Sequence, residues 1–384
     1  MLADRGKRIP PFIVMEVLEK ALKMEREGHD VVHMEVGEPD FDTPRCVKET
    51  AYHAMLEGKT HYTDSRGIIG LREAISRHYY DKYNVEVDPE RVIVANGSSP
   101  AMLLLFAALL NPGDQVILSN PCYACYPNIV EFVDGEAMEV PVYEEDGFQY
   151  RPSEIASRLG PRTKAVIINS PSNPTGNLLE PEVMEQIAAI SRKGLYVVSD
   201  EIYHGLVYER KEHSILEFTD HAFVINGFSK LYAMTGWRLG YMIAPEEFIR
   251  PVQKMMQNLF ISANAFVQEA GIAALTQCGE EIEAMVRTYD ERRRFMLPRL
   301  RELGFGVTVE PHGAFYILAN AGHFSAESYP FAMELLRNIK VAVTPGIDFG
   351  SGAEGYIRFS YANHLENLAE GMRRLEDYLS ARNA

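Results

Sequence analysis

The chain has 384 residues, of which 46% are hydrophobic and 24% are charged. This length can bury a large core, and it predicts two or three domains. The 38 basic and 54 acidic residues give a net charge of −16, which disfavours binding to nucleic acid or to an anionic membrane surface. The longest apolar run, residues 101–110, is about half of a membrane span, and no secretory leader pattern opens the chain. Composition therefore predicts a soluble cytoplasmic protein.

Strand-like and helix-like patterns alternate through the first two thirds of the chain. Apolar runs rich in β-branched residues predict buried strands at residues 92–95, 116–119, 165–169, 196–199, 223–226 and 239–244. Helical patterns lie among them, at 102–110, 180–192 and 246–257. This order predicts an α/β fold in three layers, a mostly parallel sheet with helices on both faces. In such sheets the ligand crevice lies beyond the carboxyl ends of the strands.

Past about residue 262 the pattern changes to that of a smaller α+β domain. A long charged helix is predicted over 280–302, with a kink or break at Pro298. Short strands are predicted at 306–309, 314–318, 341–344 and 356–360, with helices near 326–338 and 365–381, and residues 31–36 are expected to join this domain. The predicted units are 1–45 (N-terminal arm and part of the small domain), 46–279 (large domain) and 280–384 (small domain).

The four cysteines are Cys46, Cys122, Cys125 and Cys278. The Cys122-x-x-Cys125 spacing is typical of a redox pair or of half a zinc site, but the sequence has no second ligand pair. We therefore predict no metal site. Ordinary thiols in a reducing cytoplasm account for the four residues, while a redox motif stays open.

Two glycine-containing turns match anion-binding patterns to different degrees. Residues 350–355 read G-x-G-x-x-G, but a strand-like Tyr-Ile-Arg-Phe-Ser follows where a dinucleotide site needs a helix, so a simple turn is predicted. Residues 96–100, Asn-Gly-Ser-Ser-Pro, follow a predicted strand and open a helix, with Ser99 as the expected N-cap and Pro100 in the first helical position. Free N–H groups at that helix start favour a phosphate, and an ordinary capped helix is the alternative.

Further polar side chains follow the ends of predicted strands. Asn173 lies in a rigid turn, and its bond to the next proline has an appreciable chance of being cis. Asp200 ends a strand, either as a helix cap or as a carboxylate aimed at a cationic ligand, and Tyr203 follows three residues later. All three side chains are therefore candidates for the crevice.

Three basic residues stand in largely apolar segments. Lys230 follows a strand end, where desolvation lowers the pKa of an amine and makes it a nucleophile able to form a Schiff base. Arg238 can return to the same crevice and bind a phosphate. Arg358 lies in a short apolar strand, where it fits either a substrate carboxylate or a buried structural ion pair.

Taken in order, these segments resemble the class I/II aminotransferases, which are fold-type I pyridoxal-phosphate (PLP) enzymes. The resemblance covers nearly the whole chain. It includes residues 36–44 (Val-Gly-Glu-Pro-Asp-Phe-Asp-Thr-Pro), the segment 62–75 that begins Tyr-Thr-Asp-Ser-Arg-Gly, and residues 344–350 (Thr-Pro-Gly-Ile-Asp-Phe-Gly). Each motif alone is modest evidence, but the ordered set is highly specific.

The resemblance implies a role for each candidate residue. Lys230 would form the Schiff base with PLP, and Asp200 would pair with the pyridine nitrogen. Asn173 and Tyr203 would contact the phenolic oxygen, and Tyr203 is counted with Lys230 and Asp200 among the catalytic residues. Tyr123 would stack on the ring, and the phosphate would be bound by Gly97, Ser98, Ser99 and Arg238 together with Tyr62 of the partner subunit. The donor amino acid would be bound by Arg358, at its α-carboxylate, and by Gly37 and Asn173. One position departs from the pattern: many relatives have a serine at the position of Gly227, and Ser229 is close in sequence but need not reach the phosphate.

The implied activity is transfer of an amino group between an L-amino acid and a 2-oxo acid, with 2-oxoglutarate as the implied acceptor, in a homodimer with shared sites. The donor stays open among aspartate, aromatic and alanine-like amino acids. Some aspartate-preferring relatives have a lysine at the position of Ser99, and its absence here lowers the case for aspartate. Lys59, His61 and Arg66, near Tyr62, are candidates for a replacement cation, although a solvated loop is the favoured interpretation. Phe12, Phe315 and Tyr316 would suit an apolar donor side chain. A PLP-dependent carbon–sulfur β-lyase is the alternative activity. A PLP-fold transcription regulator is disfavoured by the acidic charge and the early first motif.

Overall fold

The structure is a computed structural model that describes residues 3, 5–191 and 195–382. Its strands are β1 (Val32–Met34), β2 (Val92–Ala95), β3 (Gln115–Asn120), β4 (Glu136–Pro141), β5 (Thr163–Asn169), β6 (Tyr196–Asp200), β7 (Ala222–Gly227), β8 (Gly240–Ile243), β9 (Tyr316–Asn320), β10 (Val341–Pro345) and β11 (Tyr356–Ser360). Its helices are α1 (Arg5–Arg8), α2 (Ile13–Arg26), α3 (Arg45–Leu56), α4 (Ile69–Tyr83), α5 (Ser98–Leu109), α6 (Cys125–Phe132), α7 (Pro152–Arg158), α8 (Pro181–Ser191), α9 (Glu246–Leu259), α10 (Ala265–Gln277), α11 (Gly279–Glu302), α12 (Ser328–Ile339) and α13 (Leu365–Arg382). Arg192, the last residue of the helix predicted over 180–192, lies outside the described residues.

Seven strands form the large sheet in the order β2-β8-β7-β6-β5-β3-β4. Strands β3 to β7 run parallel, and β8 runs antiparallel to both β2 and β7. Alternate residues of β2 face opposite layers: Val92 and Val94 join one apolar cluster, while Ile93 and Ala95 join another that includes α5. The predicted α/β fold with a mostly parallel sheet between helical layers is confirmed, and all six predicted strands are present.

A second sheet of four strands has the order β1-β10-β11-β9. Strand β1 pairs in parallel with β10, which confirms that residues 31–36 join the C-terminal part of the chain. Strand β11 places Arg358 beside Thr344 of β10 and Leu318 of β9. The bounds of the two domains stay a prediction.

Two expectations for the C-terminal third are wrong, the break at Pro298 and the strand at 306–309, while a kink at Pro298 stays a prediction. Helix α11 continues through Pro298, because the helix buries Tyr289, Met296 and Leu300 and this packing outweighs the hydrogen bond that a proline cannot make. Residues 306–309 form no strand; Gly306 makes only an isolated bridge to Asn320. The turn predicted at 350–355 is confirmed, since a 3₁₀ turn leads directly into β11.

The prediction of four ordinary thiols is wrong for one pair. Cys46 of α3 and Cys278, directly after α10, form a disulfide with their Cα atoms 6.8 Å apart. Helices α3 and α10 pack against each other, which brings the two residues together across 232 positions of sequence. Cys122 and Cys125 are free thiols. Among the described residues, no helix combines the length and the apolar character needed to cross a membrane.

Candidate active site

The turn between β2 and α5 places bare helix N–H groups at the carboxyl edge of the large sheet. Helix α5 begins at Ser98 with Gly97 as its N-cap, so the predicted cap at Ser99 is wrong, and no side chain caps the helix start. Gly97 has a φ of +115°, and a Cβ there would lie 2.5 Å from a guanidinium nitrogen of Arg238. Position 97 therefore requires glycine, because the backbone has a positive φ and Arg238 lies too close for a side chain.

The loop after β7 brings Lys230 and Arg238 to the same edge. Lys230 donates a hydrogen bond from Nζ to the carbonyl oxygen of Gly37 over 2.6 Å. Withdrawal from solvent lowers the pKa of Lys230 to about 8. Arg238 is exposed and donates to the carbonyl oxygen of Thr235 over 2.8 Å, and no described carboxylate lies within ion-pair distance of it.

Close packing of three backbones accounts for the glycine at position 227. A Cβ on Gly227 would lie 3.0 Å from the Cα of Gly240 and from the carbonyl oxygen of Leu239. A Cβ on Gly240 would in turn lie 2.6 Å from the backbone of Gly97 and Ser98. A serine at position 227 would therefore crowd β8 against the turn between β2 and α5. Ser229 lines a cavity that lies between the two sheets, and its contact with a phosphate stays a prediction.

Asp200 ends β6 with its side chain buried and hydrogen-bonded at both oxygens. The hydroxyl of Tyr126 donates to Oδ2 over 2.8 Å, and the backbone N–H of Ile202 donates to Oδ1 over 3.1 Å. Burial raises the pKa of Asp200 to about 6, and the two hydrogen bonds and the charge of Lys230 oppose that rise. Sequence reasoning missed Tyr126, because an aromatic residue in a helix is ordinarily part of the core.

A second buried carboxylate, Glu201, stands beside Asp200 but points away from the cavity. It accepts hydrogen bonds from the hydroxyls of Tyr79 (2.9 Å) and Ser214 (2.9 Å) and from the backbone N–H of Ile215 (3.1 Å). Burial raises the pKa of Glu201 to about 7. Glu201 thus anchors the segment that carries Asp200 and Tyr203.

Asn173 and Tyr203 meet the second sheet at the cavity. The Asn173–Pro174 bond is cis, as its sequence allowed. The Tyr203 hydroxyl lies 2.8 Å from that of Tyr316, and burial raises the pKa of Tyr203 well above its ordinary value. Asn169, at the end of β5, accepts from the backbone N–H of Asn173 over 2.8 Å. Asn169 was not singled out from sequence, although it is a polar residue at a strand's carboxyl end.

Arg358 has neutral partners instead of a buried ion pair. Its guanidinium donates to Asn173 Oδ1 over 2.8 Å, to Thr344 Oγ1 over 3.1 Å and to the carbonyl oxygen of Glu35. Its Nε is buried without a hydrogen-bond partner, and no described carboxylate pairs with it. The structural ion-pair alternative is therefore wrong. The guanidinium also lies 4.3 Å from the ring centroid of Tyr316.

These side chains line one cavity of about 260 Å³ between the two sheets. Of the predicted site residues, the cavity wall contains Gly37, Ser98, Ser99, Tyr123, Asn173, Asp200, Tyr203, Lys230, Arg238 and Arg358. Gly97 lies directly against Arg238, and Tyr62 lies outside with 79% of its surface exposed. Phe12 and Tyr316 line the cavity as expected, whereas Phe315 is buried in the core.

The comparison with known proteins identifies the family. The model of the family "Aminotransferase class I and II" matches residues 29–375. The chain is 43% identical to the (5-formylfuran-3-yl)methyl phosphate transaminase of Methanocaldococcus jannaschii, covering 99% of this chain and 100% of that one. It is 37% identical to an aspartate aminotransferase of Pyrococcus horikoshii over 98% of this chain and 97% of the relative. A solved structure of the Thermus thermophilus aspartate aminotransferase with maleate superposes with a TM-score of 0.94 at 38% identity, covering 98% and 99% of the two chains.

The chain therefore belongs to the class I and II aminotransferases, whose members depend on PLP. The enzyme is an aminotransferase, as the sequence predicted, and this activity is favoured over the carbon–sulfur β-lyase alternative.

Proposed function

We propose that the cavity binds PLP and that the residues on its wall divide the work of amino-group transfer as the sequence predicted. The observation that carries the proposal is the set of groups on one wall: an amine, Lys230, a buried carboxylate, Asp200, and two guanidinium groups, Arg238 and Arg358, neither of which pairs with a described carboxylate. Two unpaired cations in one cavity fit two anionic groups, a phosphate and a carboxylate.

The phosphate end of PLP fits the edge formed by α5 and Arg238. The uncapped N–H groups at Ser98 and Ser99 and the positive end of the helix dipole favour an anion there. Arg238 adds a full positive charge, held next to Gly97 by the close contact described above. The predicted phosphate ligands therefore suit the group.

The ring of PLP fits between Tyr123 and the residues at the ends of β5 and β6. Tyr123 supplies an aromatic face, Asp200 a carboxylate for the protonated pyridine nitrogen, and Tyr203 and Asn173 polar groups for the phenolic oxygen. Asp200 keeps the proton on the ring nitrogen as long as the carboxylate stays ionised. The donor set thus matches the chemistry of the cofactor.

Bound PLP supplies an electron sink for the charge that develops at Cα of the donor. Lys230 serves as the general base, because its lowered pKa leaves a useful fraction of neutral amine, and it takes the Cα proton onto Nζ. Arg358 holds the donor's α-carboxylate, which fixes Cα beside Lys230. The carbonyl oxygen of Gly37 accepts a hydrogen bond from Lys230 Nζ when the amine is free.

The geometry favours a donor with an aromatic or alanine-like side chain over aspartate. Phe12, Val14 and Met15 form an apolar part of the wall. Two cations proposed from sequence for a second carboxylate are paired within the chain, Arg66 with Glu90 and Lys59 with Glu269. An apolar donor side chain thus has a matching surface in this chain. The side-chain carboxylate of aspartate would find neither Arg66 nor Lys59 free to bind it.

A panel of amino donors with 2-oxoglutarate tests this proposal by the glutamate formed. We expect higher kcat/KM for phenylalanine, tyrosine or alanine than for aspartate. A preference for aspartate would overturn the donor class and leave the cofactor site intact. Absence of glutamate with every donor would overturn 2-oxoglutarate as acceptor.

We also propose a homodimer in which Tyr62 binds the partner's phosphate. The Tyr62 loop lies against the end of α9, where Thr63 N–H donates to Ser262 Oγ over 3.3 Å. Apolar side chains are exposed on α3, in this loop and at the end of α9, namely Tyr52, Met55, Leu56, Tyr62, Leu259 and Ile261. An exposed apolar surface of this kind favours a subunit interface, which would also cover the exposed Arg238.

Mixing two inactive variants tests the shared site. A Tyr62→Ala chain and a Lys230→Ala chain form mixed dimers that contain one intact site, so activity should return to about a quarter of the wild-type value. Failure to recover activity, or full activity of an isolated monomer, would contradict a shared site.

We place the enzyme in the cytoplasm on the basis of its acidic charge and its small-molecule chemistry. Cell fractionation with a tagged chain tests this, and recovery with the membrane or secreted fraction would contradict it.

A further inference from the structure

The Asp200 carboxylate receives one hydrogen bond at each oxygen, from different sources. The bond from the Ile202 backbone belongs to the turn after β6, and any residue except proline could supply it from that position. The bond from the Tyr126 hydroxyl comes from another element, 74 positions away. Among the described residues, Tyr126 is the one side chain that hydrogen-bonds to this carboxylate.

The position of Tyr126 is fixed by its own surroundings. It is the second residue of α6, its backbone N–H donates to the carbonyl oxygen of Tyr123 over 3.0 Å, and only 2% of its surface is exposed. Its ring packs edge-on against that of Tyr123, with centroids 5.3 Å apart and planes at 81°. The hydroxyl is therefore directed at Asp200 by a rigid aromatic pair on the cavity wall.

The hydrogen bond from Tyr126 affects both the ionisation of Asp200 and the lone pairs that the carboxylate can offer to a ligand. Each carboxylate oxygen has two lone-pair sites, so the Tyr126 bond leaves room for a further donor from the cavity. The bond also stabilises the ionised form of a carboxylate that burial pushes toward neutrality. Lys230, in the loop after β7, and Tyr123 also interact electrostatically with Asp200.

We propose that Tyr126 is a positioning residue of the reaction, whose hydroxyl keeps Asp200 ionised and oriented toward the ring nitrogen of PLP. The inference rests on the proposed role of Asp200. Tyr126 acts through that carboxylate and makes no demand on the donor amino acid. Loss of the Tyr126 hydroxyl should therefore lower kcat and cofactor affinity only when the cofactor has a ring nitrogen.

Tyr126→Phe is tested with two cofactors: PLP, and an analogue in which carbon replaces the ring nitrogen. With PLP, kcat should fall by about tenfold or more, because a hydrogen bond to a charged group is lost, and the apoprotein should bind PLP more weakly. With the analogue, the variant and the wild type should have equal kcat and equal affinity. In an Asp200→Asn background, Tyr126→Phe should cost nothing further.

Tyr150→Phe is the matched control. Tyr150 is also buried, and its hydroxyl donates to the carbonyl oxygen of Ile167 over 2.6 Å, away from Asp200. This variant also loses a buried phenol hydrogen bond, here to a neutral carbonyl oxygen, and should keep wild-type kcat with PLP. A lower thermal midpoint shared by both variants then reports the common loss of a hydroxyl and not a loss at the cofactor.

Equal losses with both cofactors would overturn the inference, since they would show a general structural role for Tyr126. So would an unchanged kcat and affinity with PLP. A wild-type enzyme that loses nothing when PLP is exchanged for the analogue would instead refute the role of Asp200 itself. These outcomes separate failure of the inference from failure of the proposed function.

Discussion

Arg358→Gln tests the assignment of the donor's α-carboxylate to Arg358. Arg358 is only 2% exposed, and the partners of its guanidinium are neutral oxygens of Asn173, Thr344 and Glu35. Its Nε makes no hydrogen bond. A bound donor would thus supply the first carboxylate to this buried charge within the described chain, and glutamine removes the charge while keeping a polar head group.

The expected magnitude follows from two charge-assisted hydrogen bonds. Each hydrogen bond between the guanidinium and a carboxylate contributes about 1.5–3 kcal/mol. Loss of both should raise the barrier by about 3–6 kcal/mol, which lowers kcat/KM by about a hundredfold to ten-thousandfold. Arg358→Lys keeps the charge but not the planar fork, so its loss should be intermediate.

The assay compares each amino acid with the amine that carries the same side chain but lacks the α-carboxylate. The loss in kcat/KM should be confined to donors that have the carboxylate. Equal losses for both classes, or a loss below about tenfold for the amino acids, would refute the assignment. Thermal unfolding of the apoprotein controls for a general loss of packing.

Three further predictions concern the carboxylates and the disulfide. The pKa of Glu201 lies near 7 in the folded chain and at 4.5 in the unfolded chain, so the protonated carboxyl stabilises the fold fully below pH 4.5, and this stabilisation is lost as pH rises to about 7. Wild type should therefore lose about 3 kcal/mol of unfolding free energy over this range relative to Glu201→Gln. Parallel profiles of unfolding free energy against pH for the two proteins would contradict this. Asp200→Ala should keep some PLP and lose several orders of magnitude in kcat; a near-normal kcat would contradict the role of the carboxylate. After unfolding without reductant, two thiols should titrate, and four would disprove the Cys46–Cys278 disulfide.

The large sheet could be predicted from the sequence because most of its strands, including the edge strand β2, are buried on both faces. The uninterrupted apolar run of β2 indicates a buried strand. The polar residues at the ends of β5, β6 and β7 indicate the edge of the sheet at which the site lies. Strand β4 was missed because it lies at the edge of the sheet, where Glu136 and Glu139 are exposed and only Val140 is buried. Strand β2 is the other edge strand, but all four of its residues are buried, so it keeps the apolar signal that β4 lacks.

The features that could not be predicted depend on contacts between distant parts of the chain. The disulfide joins residues 232 positions apart, and nothing near either cysteine indicates its partner. The N-cap lies at Gly97 and not at Ser99, because the close approach of Arg238 and β8 decides the local backbone. The contact between Tyr126 and Asp200 likewise requires the position of α6 against β6.

The most direct test of the central claim is the variant Lys230→Ala, measured for both transamination and the visible absorbance that PLP acquires when it is joined to the protein. The account predicts that both are lost, because the side chain that carries the cofactor and takes the Cα proton is gone. The matched control, Lys254→Ala on the exposed side of α9, should keep both. A Lys230→Ala enzyme that retained full activity would contradict the account.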